Sequence, residues 1–152
     1  MPYILPKDRP QFVKVLELFP ELSNGELRYI FTILAKRFIN ADKFIFQHPK
    51  PELDAILNQL PKYNIGDMNF MVTWLTHKHV VLRGLKYAVL NNLYGVLLKM
   101  AALFRDWHDD NMIGVFGSAA SEFYDRIMRP YEDKKIRENG PVSELERELN
   151  DV

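Results

Sequence analysis

Two dipeptides at matching places bring together residue types that can hold a nucleotide. Arg28-Tyr29 and Asn69-Phe70 each fall just inside what reads as a helix N-terminus. There an arginine and unpaired helix N–H groups suit a phosphate, and an aromatic ring suits a base. Asn92 and Asn111 add side-chain amides, each offering a donor and an acceptor to a base edge or a ribose. Arg105 and Arg126 lie toward the far ends of the segments that those asparagines begin. All of these types also have ordinary uses. Tyr29 and Phe70 equally suit a core, and Arg126 equally suits a surface ion pair.

A second constellation suggests metal. His77, then His108-Asp109, then Asp125 follows the order found in helical HD-type phosphohydrolases, with His79 and Asp110 nearby. The last interval is short, however, and His77 and His79 are two apart, so they do not share a helix face. A solvated turn around residue 108 is the simpler reading, and no metal and no cofactor is expected. The chain contains no phosphate-binding glycine loop, no dinucleotide fingerprint and no nucleophile elbow. With no cysteine among 152 residues, thiolate catalysis and thiolate metal sites are excluded. Twenty Lys+Arg balance 20 Asp+Glu, which argues against bulk electrostatic binding of nucleic acid. These features together favour a non-enzymatic binding protein over an enzyme.

The elements that must position these residues are repeated. Residues 9–39 (unit A) align without gaps on 50–80 (A′) at an offset of 41. Pro10/Pro51, Leu16/Leu57, Pro20/Pro61, Gly25/Gly66, Thr32/Thr73 and Leu34/Leu75 are identical. Registered prolines and glycines carry the most weight, because each fixes backbone geometry. Each unit predicts a short helix opening on proline (about 11–19 and 52–60), a turn, and a longer helix to about Phe38 or His77. Ser23 and Glu26 stand at capping-box spacing, as do Asn64 and Asp67. Between the units, Lys43-Phe44-Ile45-Phe46 suggests a short strand.

A second repeat has an offset of 19 and relates 92–107 (B) to 111–126 (B′), within helices expected at about 85–107 and 111–128. Leu93, Val96, Leu97, Met100 and Phe104 share one face, matched by Met112, Val115, Phe116, Ala119 and Phe123. A polar, small-residue stripe runs along Asn92, Gly95, Lys99, Ala102 and Asp106, matched by Asn111, Gly114, Ser118, Ser121 and Asp125. Two registered glycines inside helices want a reason: close helix–helix approach, or the floor of a ligand cleft. The order A, A′, B, B′ predicts an all-α, compact helical bundle of two nested, pseudo-twofold-related modules. Residues 1–140 would form one domain, and 141–152 an acidic arm or oligomer contact, making a homo-oligomer possible. The best membrane-span candidate, Leu85 to Phe104, holds Lys86, Asn91, Asn92 and Lys99, so no span is expected. Met1-Pro2-Tyr3 begins no signal peptide, and a cytoplasmic protein is expected.

The stretch EFYDRIMRPYEDKKIRENG (Glu122–Gly140) resembles the C-terminal signature of small phage and prophage proteins of unknown function. Met1-Pro2-Tyr3-Ile4 and the segments Gly25–Tyr29 and Gly66–Phe70 look like the same family. The relatives in question are shorter, with one A and one B unit. The resemblance therefore implies that this chain has internalised what they achieve by dimerising. It implies a phage origin and carries no established activity. Phages carry small proteins that act by occupying something, including sponges for nucleotide-derived defence signals. The expected ligand is a small nucleotide-like molecule, held by Arg28, Tyr29, Asn69, Phe70, Asn92, Arg105, Asn111 and Arg126. A phage assembly or host-protein-binding module is the alternative, and a metal-dependent phosphohydrolase comes third.

Overall fold

Prolines decide where the first helices start. Pro10 and Pro51 sit in a first helical turn, where a missing N–H removes no hydrogen bond. Helices α1 (Pro10–Leu16) and α3 (Pro51–Leu57) begin on them. The computed structural model describes residues 4–39 and 49–150. In it the two helices close with matching bonds. Val13 N–H to Arg9 and Asp54 N–H to Lys50 are both 3.0 Å, and Glu17 to Val13 and Asn58 to Asp54 are both 2.9 Å. Helices α2 (Asn24–Ile39) and α4 (Ile65–Arg83) follow, again starting 41 residues apart. Both carry reciprocal capping boxes. Ser23 and Glu26 exchange two bonds of 3.1 Å, and Asn64 and Asp67 exchange bonds of 2.9 and 2.8 Å. Helix α4 runs six residues past the expected end at His77, because nothing interrupts it before Gly84, which adopts φ +97°.

Seven-residue helices are not stable alone, and here each unit closes the other's. Lys78 of α4 donates to the carbonyls of Leu16, Glu17 and Phe19 at the end of α1, at 3.3, 3.3 and 2.6 Å. Arg37, its counterpart 41 residues earlier, donates to Asn58 Oδ1 just beyond α3 at 2.6 Å. Arg9 lies over the Phe70 ring at 5.2 Å, and the equivalent Lys50 lies over Tyr29 at 6.0 Å. At helix level α1 packs on α4 as α2 packs on α3. These particular contacts are reciprocal between the two units.

Helices α5 (Tyr87–Asp106) and α6 (Asp110–Phe123) bury the two apolar faces read from the sequence, from Leu93 through Phe104 and from Met112 through Phe123. Helix α5 packs on both α2 and α4, so one long helix is shared between the A units. Phe116 of α6 stacks on Phe104 of α5 at 5.6 Å and tilts against Phe31 of α2 at 5.5 Å. By length and hydropathy alone α5 passes as a membrane span, as a core helix also can, and 39% of its apolar window is buried. The polar residues lie along one stripe and leave the rest of the helix apolar.

Among the described residues every regular element is helical, and the fold is all-α. The expected strand at 43–46 lies outside them. The chain forms two compact units, residues 1–120 and 121–152. The second of these takes in residues 121–140 together with the expected arm. In this second unit, a π-helical turn (Tyr124–Met128) leads into α7 (Arg129–Asn139), which buries no residue. Exposed pairs hold it: Arg129 with Asp125 at 3.2 Å, and Lys135 with Glu138 at 3.3 Å. Gly140 at φ +82° ends α7, and Ser143 and Glu146 cap α8 (Glu144–Asn150).

The α5–α6 turn explains the His-Asp pair. Asp109 N–H reaches the Phe104 carbonyl at 3.0 Å and His108 N–H reaches Arg105 at 3.1 Å, the double bond pattern of a Schellman motif. It requires His108 to adopt φ 56°, in the left-handed region. Asp109 then caps α6, its Oδ1 accepting from Met112 N–H at 3.0 Å. Replacing His108 with glycine should relieve the backbone and raise unfolding free energy by about 1 kcal/mol. Chemical denaturation checks this, and a less stable H108G would show the imidazole to be needed.

Candidate functional site

The first turn of α2 and the polar stripe of α5 meet in a cleft of about 230 Å³. Asn24, Gly25 and Arg28 line one wall; Asn91, Asn92, Gly95, Val96 and Lys99 line the other. The capping box turns Glu26 back onto Ser23 N–H, which holds its carboxyl below the ordinary range, mainly through that backbone bond. Asn24 and Gly25 bring the first turn of α2 to the cleft, with the Glu26 carboxylate in the same turn. Arg28 and Lys99 add full charges, and among the described residues neither is paired with a carboxylate. Residues 68–105 contain five Lys/Arg and no Asp or Glu, and of these Lys99 stands on the α5 wall. An anion with hydrogen-bonding edges fits this surface; a cation does not.

Of the eight expected ligand residues, the structure brings Arg28 and Asn92 together here. Tyr29 is a correction. It is buried, and its hydroxyl donates to Asp54 (2.9 and 3.0 Å to the two oxygens) and accepts from Lys50 N–H at 3.1 Å, tying α2 to α3. Burial, chiefly, raises its pKa. Phe70 is another: it is buried beneath Arg9. Asn69 is half-buried, with an oxygen that has no partner. At the matching place on α4, Ile4 approaches Gly66, where a Cβ would meet it at 3.8 Å. Arg105 is exposed thirteen residues along α5 from Asn92, about 20 Å at the helical rise. Asn111 is exposed on α6, and Arg126 belongs to the second unit.

The stripe itself is not a packing seam. Asn92, Lys99, Ala102 and Asp106 are exposed, as are Asn111, Gly114, Ser118, Ser121 and Asp125. A Cβ on Gly95 or Gly114 would meet nothing within 4 Å. Close helix approach therefore does not account for these glycines. Gly95 leaves backbone open at the cleft; Gly114 stands on an open face for which the structure supplies no steric reason.

The histidines do not converge. His77 is exposed, whereas His79 is fully buried with both ring nitrogens engaged. Among the described residues no group of three His, Asp or Glu is placed to hold a metal ion.

Sequence reasoning missed a larger hollow of about 640 Å³ between the end of α2 and the start of α4. Tyr63 lines it but donates to the Leu34 carbonyl at 2.6 Å, and burial pushes its pKa up to about 12. Arg37 is likewise occupied by Asn58. These polar groups are holding the hairpins together. For the α2–α5 cleft the missed signal was the acid-free run 68–105, which charge counting along the chain reveals.

Fold and cleft define an all-α protein built on a reciprocal pair of helical hairpins, with an open cationic cleft where α2 meets α5. Residues 43–142 match the family described as a domain of unknown function (DUF6899), and the chain belongs to it. The matched region begins after unit A and so takes in the α5 wall of the cleft but not the α2 wall. No curated protein and no solved structure matches the chain.

If the glycine positions are open, adding a methyl should be tolerated. Gly95→Ala and Gly114→Ala should each raise unfolding free energy by about 0.5–1 kcal/mol, the ordinary gain in a helix interior. Thermal melts of the two variants check this, and a lowered melting temperature would place a neighbour against that glycine.

Proposed function

We propose that this chain is a non-enzymatic binding protein of phage type that sequesters a nucleotide-derived bacterial defence signal in the cytoplasm of an infected host. One observation carries the reading: Arg28, Lys99, the α2 N-terminus and the amides of Asn91 and Asn92 converge on a cleft floored by Gly95. Phosphate would sit toward Arg28 and the helix terminus, and a ribose or base edge against the asparagines. At about 230 Å³ the cleft is smaller than the roughly 300–1,000 Å³ of pockets that enclose a drug-sized ligand. It suits one phosphoryl group with its sugar, the remainder of a larger signal standing in solvent. An exposed apolar corner at the end of α4, with Val81 81% and Leu85 52% exposed, favours the alternative of a host-protein-binding module.

Titration calorimetry with cyclic AMP and cyclic di-AMP distinguishes these. A bound ligand should be recovered chemically unchanged. Arg28→Ala and Asn92→Ala should each weaken binding about tenfold to a hundredfold, the loss of roughly 1–3 kcal/mol from one hydrogen-bonding partner. Their melting temperatures should match the parent, because both side chains are exposed. Lost stability with binding intact would make these residues structural; capture of a host protein through Val81 and Leu85 would favour the alternative.

A further inference from the structure

The residues that begin α2 are held from behind by the last turns of α4. Leu22 N–H donates to His79 Nε2 at 3.1 Å, and the Leu22 carbonyl accepts from Arg83 Nη2 at 2.6 Å. Arg83 Nη1 donates to Asn24 Oδ1 at 2.7 Å. His79 must be neutral for this, with its proton on Nδ1, which donates to the Leu75 carbonyl at 2.8 Å. Both Leu22 and His79 are shut from solvent, at 2% and 0% exposed. Asn24, held by Arg83, lines the cleft beside Gly25 and Arg28.

The 41-residue repeat carries a different arrangement at the matching place. In the matching place Tyr63 donates directly to the Leu34 carbonyl, and Phe38 occupies the position of His79. Tyr63 corresponds to Leu22, and Leu34 to Leu75. One hairpin therefore has a tyrosine–carbonyl bond that does not titrate near neutrality. The other reaches the same carbonyl through an imidazole, on the side that carries the open cleft.

We propose that His79 and Arg83 are positioning residues that clamp the start of α2 in its cleft-forming place, and that protonation of His79 releases the clamp. A proton on Nε2 would confront the Leu22 N–H with a second donor, and the bond would break. The charged groups acting on the ring are Arg83 and Lys78 of α4 and Glu21 of the α1–α2 turn; Glu17 at the end of α1 acts on Lys78. Burial first, then the two cations, hold the His79 pKa below its ordinary 6.5, against the Leu75 bond and Glu21. The unfolded chain therefore takes up the proton first. The stability contributed by neutral His79 is complete above about pH 6.5 and is lost as pH falls through the depressed value. Any consequence for a ligand rests on the cleft reading above; the clamp does not.

The test uses the full-length ¹⁵N-labelled chain. At pH 7.5 its His79 should show a proton on Nδ1 alone and the Leu22 amide should be protected from exchange. Toward pH 5 the Leu22 and Gly25 amides should lose at least tenfold in protection, after correction for intrinsic exchange. Cyclic AMP, whose phosphodiester charge is constant over this range, should bind about tenfold more weakly at pH 5 than at pH 7.5. His79→Gln keeps an acceptor for Leu22 but cannot titrate, so its protection and its cyclic AMP affinity should be flat with pH. Unchanged Leu22 protection once the His79 ring resonances report its protonation, or an H79Q chain as pH-sensitive as the parent, would overturn the clamp. An intact amide response without cyclic AMP binding at pH 7.5 would support the clamp and refute the ligand reading.

Discussion

The structure depends on two short helices that cannot end by themselves. Helices α1 and α3 are seven residues long and leave unpaired carbonyls at their C-termini. A lysine from the opposite hairpin closes the first, and an arginine binds the asparagine just beyond the second. Lys78 donates to three carbonyls from partial burial, and desolvation lowers its pKa. Because each cation stands on the longer helix of its own unit, neither hairpin is complete until the other has folded. That mutual dependence fixes α2 and α4 side by side and gives α5 a common surface to pack on.

Departures from the reciprocity fall around the start of α2. Ile4 approaches Gly66 in the first turn of α4, whereas the corresponding turn of α2 lines a cleft beside α5. A histidine stands where the repeat has phenylalanine, and it takes the work that a tyrosine does in the other hairpin. A fused pair frees one copy of each element from symmetry. The copy beside the cleft carries the exposed arginine, and the other carries Asn69, half-buried with an unpartnered oxygen.

The glycines of α5 and α6 sharpen the contrast between packing and recognition. A helix interior glycine costs about 0.5–1 kcal/mol against alanine and is normally justified by a neighbouring backbone. None stands against Gly95 or Gly114. At Gly95 the open backbone adjoins two asparagines and two cations, a surface for a polar partner rather than for another helix.

Much of the local structure was written in the chain. Registered prolines started α1 and α3, Ser23/Glu26 and Asn64/Asp67 capped the helices that follow, and apolar spacing set the buried faces of α5 and α6. Each of these acts within a turn or two of backbone, so a sequence suffices to state it. The meeting of Arg28 with Asn92 was also anticipated, since both mark elements placed by the repeat. What the chain alone left open was decided by contacts between distant segments. Tyr29 and Phe70 looked available because an aromatic beside a helix N-terminus serves core and ligand equally; burial against the other hairpin removed them. The polar stripe read as a seam or a cleft until the absence, among the described residues, of a neighbour at Gly95 ruled out the seam. By contrast, residues 129–139 form a helix that buries none of its residues, as its run of charged side chains already implies. Local capping and periodicity are properties of a segment, whereas burial and convergence belong to pairs, and only tertiary structure chooses the pairs.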